Sequence, residues 1–239
     1  GASGGREEMI FTRNTTESIN LVAHGLAIPE FGPGDAIVTT EMEHHASLVT
    51  WQQVAERTGA ELRFVQLTDD GHVDQEHAKS LIDDDVELIS IPHVSNVLGT
   101  VLPVRTFADL ANDAGAVLVV DGAQSAPTRP VDVEAMGADF FAFSGHKMAG
   151  PTGIGGLYGR KELLEGMEPF LYGGAMIQHV TFDRSTWNGL PWKFEAGTPP
   201  IAEGIALAAA VDYLDDLGME WVREHENRLA QYALERLDR

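Results

Sequence analysis

Lys147 stands three residues after the largely apolar run Phe140-Phe141-Ala142-Phe143-Ser144, in a chain whose other lysines are Lys79, Lys161 and Lys193. An amine held at the end of a buried strand can act as a nucleophile towards a carbonyl. Taken alone, a lysine in such a place is most often a solvated one. Asp121 changes that balance. It ends Val117-Leu118-Val119-Val120, the most hydrophobic strand-like run in the sequence. An Asp-Gly pair there is also an ordinary turn. An amine and a carboxylate at the ends of successive strands nevertheless match the needs of pyridoxal phosphate (PLP). That cofactor takes a lysine to hold its aldehyde as a Schiff base and a carboxylate to keep its ring nitrogen protonated.

The remaining parts of such a site have candidates. A phosphate needs hydroxyls and backbone N–H groups, and Thr15-Thr16 offer both where a helix opens. Ser144 and His146 could add two donors, although Thr15 and Thr16 could equally be simple helix caps. His44 could stack on a flat ring, and Asn96 and Gln124 are candidate donors to a ring oxygen. His44-His45 makes a poor metal pair. Adjacent residues of a strand point to opposite faces, and no H-E-x-x-H spacing occurs, so no metal site is expected. Gly150-Pro151-Thr152-Gly153-Ile154-Gly155 resembles a dinucleotide loop only loosely. It does not lie between a first strand and a helix, which argues against NAD.

These residues need a scaffold, and strands alternate with helices along the chain. That pattern predicts an α/β fold, a three-layer α/β/α sandwich on a mostly parallel sheet. Strands are predicted over 36–40, 61–67, 86–92, 117–120, 139–143 and 153–158. Helices are predicted from Asn14-Thr15-Thr16-Glu17, whose Asn and Glu spacing resembles a capping box, and over 46–57, 104–114, 201–217 and 219–237. A short helix-like connection lies near Val131 to Met136. In an open α/β sheet, ligands bind beyond the carboxyl ends of the strands. The polar residues found there are Glu43-His44-His45, His93-Val94-Ser95-Asn96, Asp121-Gly122-Ala123-Gln124 and Ser144-Gly145-His146-Lys147.

Composition narrows the partners. The 239 residues carry a formal charge of −21, with acids spread along the whole chain. Such a balance disfavours nucleic acid, whose phosphates need a basic footprint. It suits a solvated surface of the kind adapted to high salt. No apolar run approaches the roughly 20 residues that cross a bilayer, and no signal peptide opens the chain. A soluble, cytoplasmic protein is expected. There is no cysteine, so disulfides and a cysteine nucleophile are impossible within these residues.

From about Met9 to Arg239 the chain resembles cysteine desulfurases of the SufS/CsdA type, in the class V aminotransferase group of fold type I PLP enzymes. The resemblance rests on Thr15-Thr16-Glu17-Ser18-Ile19-Asn20, Glu41-Met42-Glu43-His44-His45-Ala46-Ser47, and His93-Val94-Ser95-Asn96-Val97-Leu98-Gly99-Thr100. It continues through Asp121-Gly122-Ala123-Gln124, Ser144-Gly145-His146-Lys147, Gly150 to Gly155, and Phe194-Glu195-Ala196-Gly197-Thr198-Pro199. It implies that Lys147 holds PLP and moves the substrate α-proton. His44 would stack on the ring and act in acid–base steps, and Asp121 would pair with the ring nitrogen. Gln124 and Asn96 would lie near the ring hydroxyl and substrate. Thr16, Ser144 and His146 would hold the phosphate, with Thr15 beside them, and Thr198 would reach the phosphate of a second subunit in a homodimer.

The family reaction turns L-cysteine into L-alanine and passes the sulfur, through a cysteine persulfide, to an acceptor protein for iron–sulfur cluster assembly. The resemblance places that cysteine and a substrate-binding arginine in a C-terminal region beyond Arg239. It therefore implies a fragment, with a PLP-binding large domain over 1–200 and helices over 201–239 leading towards a small domain. Two other functions share the Lys147 and Asp121 logic. One is another class V enzyme, an epimerase, lyase or aminotransferase; the other is a truncated, non-catalytic dimerisation module.

Overall fold

A computed structural model describes residues 2–237; Gly1, Asp238 and Arg239, which fall in the two predicted domain ranges, lie outside the described residues. Seven strands form one sheet: β1 (Met9–Thr12), β2 (Ala36–Thr40), β3 (Glu61–Val65), β4 (Val86–Pro92), β5 (Val117–Asp121), β6 (Phe140–Ser144) and β7 (Gly155–Gly159). Their order is β1-β7-β6-β5-β4-β2-β3. The pairs from β6 through β5, β4 and β2 to β3 are parallel, and β7 runs against both of its neighbours. The mostly parallel sheet is thus as expected, with one reversed strand inside it.

Helices cover both faces, because the buried strands alternate two apolar sets. They are α1 (Thr15–Val22), α2 (Ile28–Glu30), α3 (His45–Thr58), α4 (Gln75–Leu81), α5 (Val104–Ala114), α6 (Val133–Met136) and α7 (Lys161–Gly166). On one face Ile37, Leu88, Val119 and Phe140 pack under Ile19 of α1, Trp51 of α3 and Leu164 of α7. On the other, Val38, Ile89, Leu118 and Phe141 pack under Ala78 of α4, Phe107 of α5 and Val133 of α6. The three-layer arrangement follows from this alternation.

Two long helices, α8 (Ile201–Leu217) and α9 (Met219–Leu237), end the described chain, and a two-stranded hairpin, β8 (Ile177–Val180) with β9 (Ser185–Trp187), precedes them. No described helix is long and apolar enough to cross a membrane. His44 and His45 stand at the start of α3, not on a strand as the metal argument supposed, because the His44 side chain caps that helix. The strand predicted from Gly153 begins at Gly155, since Gly153 has a positive φ that breaks the extended run.

Candidate active site

β2, β4, β5 and β6 are parallel, so their carboxyl ends share one edge of the sheet. That edge carries Glu43-His44 after β2, His93 to Asn96 after β4, Asp121 to Gln124 at β5, and Ser144 to Lys147 at β6. Backbone bonds extend the ladder into these loops. His93 N–H donates to the Asp121 carbonyl at 2.9 Å, and Gly122 N–H donates to the Ala142 carbonyl at 2.8 Å. Four segments far apart in sequence are thereby held by one rigid frame.

Asp121 is 5% exposed. Its Oδ1 accepts the Ala123 N–H at 2.9 Å. Burial lifts the carboxyl above its ordinary range, while the Ala123 N–H, Lys147 and His44 each pull it back towards the anion. The amine and the imidazole named from the sequence thus both act on the Asp121 charge. Gly122 is required beside it. A Cβ there would stand 2.0 Å from Cζ of Phe141, whose ring packs against the turn.

Lys147 closes a single 3-10 turn, Gly145–Lys147, that leaves β6. Gly145 N–H donates to the Ile154 carbonyl at 2.9 Å, and Gly150 N–H to the Gly145 carbonyl at 3.0 Å, so the lysine-bearing loop is pinned at both ends. His44 is the N-cap of α3, and its Nδ1 accepts the Ala46 N–H at 3.1 Å. With Nδ1 engaged as an acceptor, Nε2 is the nitrogen left to donate.

Thr15 and Ser144 meet across the sheet. Thr15 N–H donates to Ser144 Oγ at 2.9 Å, and the two hydroxyls lie 2.8 Å apart. Both residues are buried, at 4% and 3% exposure. The contact depends on β7. A Cβ at Gly155 would lie 2.4 Å from the Phe143 carbonyl oxygen and 2.9 Å from Asn14 Cα, so only glycine lets the start of α1 settle against β6. Asn14 caps α1 by accepting the Glu17 N–H at 3.1 Å, and the Glu17 carboxylate turns back to the Arg13 N–H. The helix therefore opens, as its sequence suggests, towards Ser144.

The other named residues lie further out. Thr16 is exposed and lines a cleft with His45, Asn20 and Thr50 between α1 and α3. His146 and Asn96 are exposed, and Gln124 is half-buried. Thr198 is exposed in a separate cleft with Phe11, Arg13, Glu17 and Phe194. Two groups at the edge, buried His93 and half-buried Glu43, had no role from sequence. Burial, with Arg129 nearby, pushes the His93 imidazole down to about 4, and its Nδ1 has no partner. Burial pushes the Glu43 carboxyl up to about 8. Nothing local separates either from an ordinary polar loop residue, since their burial depends on the assembled sheet.

Comparison with known proteins identifies the family. Residues 3–239 match the profile of the aminotransferase class-V family. A cysteine desulfurase of Haloferax volcanii is 65% identical over 99% of this chain, and a probable cysteine desulfurase of Halobacterium salinarum is 62% identical over 97% of it. In both cases the chain spans 56% of the relative's length. The crystal structure of the cysteine desulfurase CsdA from Escherichia coli superposes with a TM-score of 0.95 at 42% identity, covering 98% of this chain and 58% of that one.

Proposed function

The chain belongs to the aminotransferase class-V family, and on that premise we propose that it forms the PLP-binding core of a cysteine desulfurase. The observation that carries this reading is the convergence of Asp121, Lys147 and His44 on one sheet edge. The residues fit the cofactor. A buried carboxylate with a single backbone donor on Oδ1 suits a protonated ring nitrogen. Lys147 supplies the amine that would hold the aldehyde carbon. The opening of α1 and the Thr15–Ser144 pair would supply hydroxyls for a phosphate, and Thr16 and His146 would add to them from further out. When bound, the cofactor supplies an electron sink for charge developing at the substrate α-carbon.

The protein's own groups then divide the work. Lys147, once released from the cofactor, would take the α-proton of L-cysteine and return a proton towards L-alanine. Asp121 would keep the ring nitrogen cationic by offering it a desolvated carboxylate. His44 would stack on the ring, with Nε2 left free to donate because its Nδ1 is committed to the helix cap. Asn96 and Gln124 would orient substrate and ring oxygen. The thiolate that takes the sulfur is not among these 239 residues, which contain no cysteine. Passage of that sulfur to an acceptor for iron–sulfur cluster assembly belongs to the same reading. So does a homodimer in which exposed Thr198 of one copy serves the phosphate of the other.

Visible absorption tests the reading. Protein incubated with PLP and freed of excess should be yellow, Lys147→Ala should abolish the band, and L-cysteine should shift it. A colourless wild-type protein that is folded by circular dichroism would sink the cofactor assignment. A yellow protein indifferent to L-cysteine would sink the substrate.

A further inference from the structure

Glu43 stands between the end of β2 and the His44 cap, under the same edge as Asp121. Its Oε1 accepts the Thr40 hydroxyl at 2.9 Å, and its Oε2 is fully buried with no hydrogen-bond partner. The groups that face it come from three elements. β2 brings the hydroxyls of Thr39 and Thr40, α3 brings the Ser47 hydroxyl, and β5 brings the Asp121 carboxyl. The Thr39 hydroxyl already donates to the Ser90 carbonyl at 2.9 Å, and Ser47 Oγ is buried without a partner of its own.

Two carboxyls that repel each other in a desolvated setting resist ionising together, and the one with the poorer surroundings, here the one whose Oε2 is buried without a partner, keeps its proton. Asp121 has a backbone N–H, an amine and an imidazole favouring its anion. Glu43 has hydroxyls, and the charged group facing it is Asp121, of like sign. The proton therefore belongs on Glu43.

We propose that Glu43 is a positioning residue that stays protonated behind Asp121, leaving Asp121 as the one carboxylate charge offered to the cofactor ring. The inference rests on the PLP reading above and deepens it, because that reading needs only Asp121, Lys147 and His44. Burial acts in the same direction, since it holds the acid neutral through the physiological range. A neutral Glu43 also removes a like charge that would otherwise raise the proton affinity of Asp121.

Infrared spectroscopy of the cofactor-free protein decides where the proton sits. At pH 7 the wild-type protein should show a protonated-carboxyl C=O band that disappears with a midpoint near pH 8. Glu43→Gln should remove the band, and Asp121→Asn should leave it. No band in the wild type, or a band lost in Asp121→Asn and kept in Glu43→Gln, overturns the proposal; the wild-type spectrum needs neither variant to fold. PLP titration by absorbance supplies the second readout. Glu43→Gln, a neutral isostere, should bind within about twofold of wild type at pH 7, because no charge changes. A tenfold loss would mean that the site uses a Glu43 anion, and would also overturn the proposal. If no variant or parent binds PLP, the functional reading fails, while the infrared result still places the proton.

Discussion

The Nδ1 of His44 accepts the backbone N–H of Ala46 at 3.1 Å, so the ring proposed to stack on the cofactor also caps α3. The two roles separate by substitution. His44→Ala should lose about 1 kcal/mol of stability with the cap, whereas His44→Asn, a strong capping residue, should regain most of it. Neither variant restores a ring, so both should show weakened and spectrally altered PLP binding. Thermal melts and absorbance titrations measure the two effects independently. Recovery of wild-type binding in His44→Asn would show that the ring itself contributes nothing.

Asp121 should trade stability for function. Its folded carboxyl is raised above the unfolded value by burial, so the folded state binds the proton more tightly. Stability from this group is greatest in acid and is lost as pH rises through the folded value. Asp121→Asn removes the buried charge and should raise the stability of the cofactor-free protein at pH 7 by about 0.5–2 kcal/mol. The same variant should bind PLP more weakly. Urea denaturation over a range of pH should show the gain growing as pH rises.

His93 should govern part of the acid limb. Its folded imidazole lies near 4, against an ordinary value of 6.5. Below 6.5 the unfolded chain takes up a proton that the folded chain refuses. Stability should fall as pH drops from 6.5 to 4, by up to about 1.4 kcal/mol per pH unit from this group. His93→Gln should flatten that slope relative to wild type. Glu43 acts with opposite sign between 4.5 and 8, so the difference between variant and parent is the quantity to measure. An unchanged slope would show that His93 titrates normally.

Salt should stabilise the fold. A formal charge of −21 repels itself at low ionic strength, and the ion pairs present are mostly exposed and individually weak. Raising KCl shortens the screening length from about 10 Å at 0.1 M to about 3 Å at 1 M. The melting temperature should rise by on the order of 5 °C across that interval, on the usual conversion for a chain of this size. A flat or falling trend would contradict the salt-adapted reading of the surface.

Much of this architecture is written in local pattern. β4, α5, α8 and α9 run where apolar periodicity and their terminators place them; Gly115, at φ 76, stops α5 in the left-handed conformation that glycine favours. Asp121 and Lys147 stand out because each follows a continuous apolar strand. Elements with thin apolar faces do not stand out. α4 buries only Ala78, and no residue of the β8–β9 hairpin is fully buried. β1 is four residues long and finds its partner at β7, near the far end of the sheet's sequence. The site shows the same division. Which residues flank the edge is legible, because strand ends are legible. That Thr15 bonds Ser144, or that Glu43 faces Asp121, depends on which strands become neighbours.

The Thr15–Ser144 contact has a consequence for how the molecule assembles. It joins residues 129 positions apart, and the same closure pairs β1 with β7. Tethering so long a loop is entropically costly until most of the sheet exists to hold its ends, and contacts of this kind slow folding. The hydroxyls proposed to hold a phosphate therefore come together only after the strands between them have paired. A growing polypeptide would have no anion cup while it emerges, so colour on adding cofactor would report completion of the fold, not its beginning.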